Sequence, residues 1–314
     1  MLKKAKTIMN FSVIIPTYNR RFYLLDSIKS ILNTRNPELL YEIIIVDDGS
    51  DEPLEGLLYE TFSDKKGLIR YIRQNNRGPA SARNTGLLNA RSDYVIFLQD
   101  DIEASPELLQ EYKTTLESYN NQDIAIIAKT LWSNKLKLTP FMDYLVHGGP
   151  LFAFDKISNP EDVDFYFFCT GNVALKKSAL KGLMFDEEFP YAAYEDIEFG
   201  LRLKRSGIRF VYNEKALAYH NHPTTVKSFM RRCILTGKAA YIFHKKHPDI
   251  KKLPGSITNK RSMFKEILKF IIYPPVMMFV HTADLVGIGF PKYVYEKLCD
   301  YYTIIGINGE ARKK

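Results

Sequence analysis

Short runs of consecutive β-branched and other apolar residues punctuate the first 130 positions, and a helical pattern follows each of the first four. The runs are Phe11–Ile15, Ile43–Val46, Leu68–Ile72, Tyr94–Leu98 and Ile124–Ala128. The intervening stretches carry helical signals. Leu24, Leu25, Ile28, Ile31 and Leu32 share one face of Tyr23–Leu32, and Leu54, Leu57 and Leu58 form a shorter stripe. Gly78-Pro79 opens Ala80–Ala90, and Pro106–Tyr119 is the next helical stretch. A strand that is apolar at every position is buried on both faces. Alternation with helices therefore predicts an α/β fold built on a mainly parallel sheet, with right-handed crossovers.

Regularity fails between Thr130 and Phe168, where Pro140, Gly148-Gly149-Pro150 and Asn159-Pro160 predict loop, hairpin and short helix. Gly171–Leu175 reads as a strand and Lys176–Lys181 as a short helix. Ala193–Ser206 is an amphipathic helix with Gly207 at its C-cap. Phe210–Tyr212 and Ala216–Tyr219 read as two short strands, and the chain from Val226 to His244 as a helix. No repeat or low-complexity tract is visible.

Ligands of open α/β sheets bind beyond the carboxyl ends of the strands. Pro16, Thr17, Tyr18 and Arg20 follow the first strand, Asp47 and Asp48 the second, and Gln99, Asp100 and Asp101 the fourth. Any one of these aspartates reads equally well as a cap or turn former. Four carboxylates on one sheet edge repel one another unless a cation or donors compensate, and hard divalent cations bind both carboxylate and phosphate oxygens. A metal-held nucleotide diphosphate suits that edge. Neither GxGxxG nor GxxxxGK[ST] is present. The nearest phosphate cradle is Gly78-Pro79-Ala80-Ser81-Ala82-Arg83-Asn84, with Gly78 at a helix start and Arg83 able to meet a phosphate or a carboxylate.

Four segments, FSVIIPTYNR from Phe11, EIIIVDDGSD from Glu42, NRGPASARNTG from Asn76 and YVIFLQDD from Tyr94, resemble family 2 glycosyltransferases, and the likeness runs from about residue 10 to 246. The resemblance implies the GT-A (nucleotide-diphospho-sugar transferase) fold and inverting transfer from a nucleotide sugar, a UDP-sugar first. It implies that Thr17 and Tyr18 line the nucleobase, that Asp47 accepts a hydrogen bond from it, and that Asp100 lies near ribose or metal. Asp101 would hold a divalent cation, Mg or Mn. The sequence departs from the family's DxD pattern, with Gln99 at the first position.

Further along, YEDIEFGLRLKRSG from Tyr194 resembles the family's acceptor-side motif. By that likeness Asp196 is the general base, with Glu195 as the alternate. Acidic residues in a first helical turn are also common for the dipole alone. His220 follows 24 residues after Asp196 and would be a metal ligand, with His222 the competing choice. Cys169-Thr170-Gly171-Asn172 resembles the segment near the donor sugar, with Asn172 as its contact.

The net charge of +8 is uneven: residues 1–222 hold 27 Lys and Arg against 30 Asp and Glu, residues 223–314 hold 17 against 6. The chain thus divides into a catalytic domain, 1–246, and a basic, apolar helical extension, 247–314. Arg231-Arg232, Lys245-Lys246, Lys251-Lys252 and Lys260-Arg261 stud this part, and Phe270–Ala283 runs uncharged for 14 residues across Pro274-Pro275. A spanning helix needs about 20 apolar residues, so the extension reads as an interfacial element on an anionic membrane, or as packing on the catalytic domain or a second subunit. Lys3, Lys4 and Lys6 precede an apolar run that stops at Pro16, too short for a secretory signal, and three dispersed cysteines suggest no disulfide framework. The expected setting is cytoplasmic, peripheral on the cytoplasmic face of the membrane. The expected acceptor is a saccharide or lipid-linked saccharide of cell-surface polysaccharide or glycolipid synthesis, and a homo-oligomer stays open. A nucleotidyltransferase would carry a Gly-rich basic loop after the first strand, which PTYNRR lacks. A nucleic-acid-binding protein would explain the basic pI but lacks a recognised motif. A sugar-binding relative without turnover is the third alternative.

Overall fold

The computed structural model describes residues 10–120, 122–250 and 263–313. Lys3, Lys4 and Lys6, together with the pairs Lys251-Lys252 and Lys260-Arg261, lie outside them. Eight strands form one sheet: β1 (Phe11–Thr17), β2 (Leu40–Asp47), β3 (Ile69–Arg73), β4 (Tyr94–Leu98), β5 (Ile102–Ala104), β6 (Ile124–Trp132), β7 (Asn172–Lys176) and β8 (Arg209–His220). The order is β3-β2-β1-β4-β7-β6-β8-β5. The first four strands run parallel, as does the β6–β8 pair, while β7 is antiparallel to both β4 and β6.

Nine helices are described: α1 (Arg21–Leu32), α2 (Glu55–Thr61), α3 (Pro79–Asn89), α4 (Leu108–Ser118), α5 (Pro140–Val146), α6 (Glu195–Arg205), α7 (Val226–Lys246), α8 (Met263–Leu285) and α9 (Lys292–Ala311). The continuous apolar strands serve two cores, because successive side chains point to opposite faces. Val13, Ile15, Ile43 and Ile45 pack on one face with Leu24, Ile28 and Tyr112 of α1 and α4. Ile14, Ile44, Val46 and Phe97 pack on the other with Ala80, Leu87 and Phe199 of α3 and α6. Gly86 lets α3 approach β1; a Cβ there would meet Ile14 Cγ2 at 2.3 Å.

Three local expectations change. The two short strands at 210–212 and 216–219 are one strand, β8, bulged where Ala128 pairs with Asn213 and the next residue, Lys129, with Leu217. A three-residue strand, β5, follows the acidic turn and pairs antiparallel with β8, His220 facing Ile102. The irregular stretch from Thr130 contains the end of β6, then α5, which Thr139 caps by accepting from Met142 N–H.

The C-terminal helices pack within the chain. Val280, Tyr295, Leu298, Tyr301 and Tyr302 join Phe141, Leu145, Phe229 and Met230 in a third apolar cluster. Gly237 of α7 and Gly306 of α9 meet backbone to backbone: a Cβ on either would stand 2.0 Å from a carbonyl oxygen of the other helix.

Candidate functional site

The sheet reverses its winding direction between β1 and β4, and that is where the acidic residues collect. Thr17, the last residue of β1, donates from Oγ1 to Asp100 Oδ2 at 2.8 Å, tying the turn after β4 to the end of β1. Arg20, just before α1, reaches the same turn: its Nη1 donates to Asp101 Oδ2 and lies 3.4 Å from Asp100 Oδ1. Asp100 and Asp101 are both buried. Burial first, and the neighbouring Asp101 charge second, push the Asp100 carboxyl up to about 7, against the opposing pull of Arg20 and Thr17. Two buried carboxylates side by side are thus only partly compensated by protein donors.

His220 completes the cluster. The β5–β8 pairing and the hydrogen bond from Asn221 N–H to Asp101 carbonyl oxygen bring its Nε2 to 3.5 Å from Asp101 Oδ2. The ring is enclosed by Trp132, at 5.1 Å between centroids, and Phe152, at 5.5 Å. Burial pushes His220 down to about 4, so its imidazole is neutral, the form that binds metals. Asp101 Oδ1 and His220 Nδ1 are buried without a hydrogen-bond partner. A lone carboxylate oxygen beside a neutral imidazole is a donor set that fits a divalent cation. Among the described residues no three His, Cys, Asp or Glu side chains gather as a metal cage. The pair would therefore need further oxygens from a bound ligand. His222 lies half-buried with its ring 5.1 Å from that of Tyr23, and strand alternation does not separate the two histidines because β8 ends at His220.

Tyr18 is 47% exposed at the rim, free to stack on a planar ligand. The loops after β1 and β2 are locked together: Asn19, in the left-handed region at φ 56°, exchanges hydrogen bonds with Asp51, and its N–H donates to Ser50 Oγ. A cleft of about 400 Å³ opens there beside Asn19, Arg20, Tyr23, Ser50 and Asp51.

Other candidates have partners inside the protein. Asp47 is fully buried and accepts from Ser50 N–H at 2.8 Å and from Tyr71 Oη at 2.5 Å, so both oxygens are engaged below the surface. Asp48 accepts from Arg77 N–H at 3.0 Å and Gly78 N–H at 2.8 Å. The cradle before α3 that the sequence offered to a phosphate is therefore filled by this carboxylate, as expected where free N–H groups meet a nearby anion. Asn172 donates to the carbonyl oxygens of Lys129 and Ala216 and accepts from Tyr112 Oη, which places its side chain in the sheet rather than at a sugar. Pro16 sits within β1, pairing with Val46.

The acceptor-side motif opens α6. Tyr194, at φ 66°, turns the chain into the helix. Glu195 points inward and accepts from Arg83 Nη1 at 2.8 Å; both side chains are 4% exposed. Burial first and Asp196 second push Glu195 up to about 7. Asp196 is only half-buried, with one oxygen accepting from Ile197 N–H at 2.9 Å. Of the two acids, Asp196 is the one accessible to an incoming hydroxyl. Arg83 is not free to meet a phosphate; it moors α6 to α3. The sequence reading does not single out Trp132, Phe152, Tyr71 or Tyr112: Trp132 and Tyr71 are placed by their strands, Tyr112 by α4 and Phe152 by the loop after α5. The nearest sequence signal was the single tryptophan of the chain.

The sequence profile of Glycosyl transferase family 2 matches residues 12–183. Chondroitin synthase of Escherichia coli is 30% identical over 283 residues, 78% of this chain and 40% of that protein. Hyaluronan synthase of Pasteurella multocida is 31% identical over 248 residues, 68% of this chain and 25% of that protein. The chain spans well under half the length of those relatives. Among solved structures, S. aureus TarS 1-349 in complex with UDP-GlcNAc superposes with a TM-score of 0.55 at 17% identity, covering 96% of this chain and 92% of that one. The mannosyltransferase PcManGT from Pyrobaculum calidifontis, in complex with GDP-Man and Mn2+, gives 0.61 at 16% identity, covering 97% and 88%. These structural likenesses establish the fold.

Proposed function

Because this chain belongs to glycosyl transferase family 2, we propose that it moves a sugar from a nucleotide-diphosphate donor, a UDP-sugar first, to a hydroxyl of a saccharide acceptor, with inversion at the anomeric carbon. The observation that carries this reading is the cluster of Thr17, Arg20, Asp100, Asp101 and His220 at the sheet's switch point, together with a partly exposed carboxylate, Asp196, in the first turn of α6. A chondroitin synthase and a hyaluronan synthase among the relatives support the same acceptor class. A lipid-linked saccharide presented at the cytoplasmic face of a membrane belongs to the same reading, with the protein attached peripherally; among the described residues no helix is long and apolar enough to cross a membrane.

Asp101 and His220 would hold a divalent cation, Mg or Mn. When bound, it supplies positive charge to the departing diphosphate. Thr17 and Arg20 fix the Asp100–Asp101 turn. Tyr18 offers its exposed ring to the base. Asp196 takes the proton of the acceptor hydroxyl as the new C–O bond forms and the bond to the diphosphate oxygen breaks. The acceptor attacks the face opposite the leaving group, so one displacement inverts the centre and no covalent enzyme intermediate is needed.

The test is a thermal-shift screen of UDP- and GDP-sugars with and without Mn2+, since a ligand of the native state raises its melting temperature by mass action. Stabilisation by a nucleotide sugar that requires the cation supports the reading. Absence of stabilisation by every donor at millimolar concentration overturns it.

A further inference from the structure

Of the 15 large hydrophobic side chains exposed among the described residues, nine lie between Ile271 and Tyr293. They include Ile272, Phe279, Leu285, Val286 and Ile288, with Phe279 67% and Val286 72% exposed. From Ile271 to Pro291 the only charged residue is Asp284, which is fully buried. The outer surface of this segment therefore carries no Asp, Glu, Lys or Arg, and its one histidine, His281, is half-buried. Scattered exposed apolar residues are normal, but a contiguous uncharged surface of this kind marks a binding face.

The other side of α8 is held by the protein. Val280 and Ala283 are buried, Tyr273 stacks on Tyr301 at 4.3 Å, and Asp284 Oδ1 accepts from Phe141 N–H at 2.8 Å. So from Ile271 on, α8 is fixed along one face and bare along the other. Its bare helical part, from Ile271 to Leu285, would lie flat over about 21 Å at 1.5 Å per residue, with the turn to Ile288 beyond it. Lys292 and Tyr293, both exposed, follow after Gly289-Phe290-Pro291, with Lys292 Nζ 3.5 Å from Glu296 Oε1. A lysine and a tyrosine at the edge of an apolar face suit a membrane–water boundary, where a charged or hydroxyl tip stays wet.

We propose that the bare face of α8 and the turn after it, from Ile271 to Ile288, inserts into the headgroup region of an anionic lipid bilayer. Charge selects this occupant over a second copy. Residues 223–314 carry 17 basic against 6 acidic residues, so two such arms brought face to face would repel, whereas an anionic leaflet attracts each of them. The proposal names the surface by which the peripheral attachment in the functional reading would occur. It rests on that reading for its purpose only: vesicle binding is measured without turnover, so either can fail alone.

The experiment is co-sedimentation of the full chain with vesicles of phosphatidylglycerol and phosphatidylcholine, and with phosphatidylcholine alone. The variant Ile272→Gln/Phe279→Gln/Val286→Gln removes apolar surface without changing charge. The expected result is sedimentation with the anionic vesicles, weakened by 0.5 M salt and by omission of phosphatidylglycerol. The variant should bind at least tenfold more weakly with an unchanged melting temperature. A variant that sediments as well as the parent overturns the proposal, as does a parent that binds neither vesicle. A parent dimer in light scattering that the variant breaks would assign the face to a second copy and overturn it equally.

Discussion

Arg83→Met isolates what the buried Arg83–Glu195 pair does. The pair spans 112 residues of sequence, joins α3 to the first residue of α6 and is almost sealed from solvent. Such a pair adds little net stability, but removing one partner leaves an uncompensated buried charge at a cost of about 3–5 kcal/mol. The cost should depend on pH, and the sign follows from Glu195. Its carboxyl lies at about 7, above the ordinary 4.5. Between those values the folded protein keeps a proton that the unfolded chain has lost, so this group's contribution to stability falls as pH rises through that window. Above about pH 7 the carboxylate is charged and needs Arg83; at pH 5.5 it is neutral in parent and variant alike. Arg83→Met should therefore cost about 3–5 kcal/mol at pH 8.5 and only about 1 kcal/mol, one hydrogen bond, at pH 5.5. For a domain of this size the larger figure is a fall of roughly 6 to 10 °C in melting temperature. In Arg83→Met/Glu195→Leu both charges are gone, and the two losses should fall short of additivity by about 2 kcal/mol. Thermal melts at the two pH values read the stability, and titration with nucleoside diphosphate reads the donor site. Were Arg83 a phosphate contact instead, the variant would melt like the parent at both pH values and bind the nucleotide at least tenfold more weakly. That pattern would refute the mooring role.

Three further outcomes follow from the geometry. Asp196→Asn should lower sugar transfer by about 10²–10⁴-fold, the usual worth of a general base, while nucleotide-sugar affinity in calorimetry stays within twofold. Asp101→Ala should abolish the dependence on Mn2+ of nucleotide-induced thermal stabilisation, because it removes both the unpartnered Oδ1 and the Oδ2 that lies 3.5 Å from His220 Nε2. Gly306→Leu forces a side chain into the Ile234 carbonyl, where even a Cβ would stand at 2.0 Å, and should cost about 3 kcal/mol or more in a denaturant melt by parting α7 from α9.

The parallel half of the sheet was legible because its strands are apolar at every position and β-branched, and because Gly78-Pro79 announces the start of α3. The bulged strand β8 was not. Asn213-Glu214-Lys215 reads as a polar break, yet Asn213 donates to Thr115 Oγ1 and its Oδ1 accepts from the N–H groups of Lys215 and Ala216, which carries the strand through the break. The three residues of β5 hold too little pattern to signal a strand before β8 is placed beside them. At the site, the residue types were readable and their partners were not. Sequence shows that Asp48 and Arg83 are charged, but only the fold decides that Asp48 meets the N–H groups before α3 and Arg83 meets Glu195. Asn172 lay in a segment resembling a sugar contact, yet the register of β7 between β4 and β6 turns its amide into the sheet.

A separate run of contacts ties the C-terminal arm to the candidate site. Asp284 of α8 accepts from the N–H of Phe141 in the first turn of α5. In α5, Met142 carbonyl oxygen accepts from Trp132 Nε1 at 2.9 Å, and the Trp132 ring stands edge-on to His220, beside Asp101. Every link is a buried hydrogen bond or a ring contact, and none is a flexible linker. An arm tied to the rest only by a disordered tether would leave the crevice free to tumble above a membrane, with an effective concentration set by tether length. An α8 packed on α5 and stacked on α9 cannot do that. A bilayer that takes up its bare face also fixes the direction in which the crevice between β1 and β4 opens.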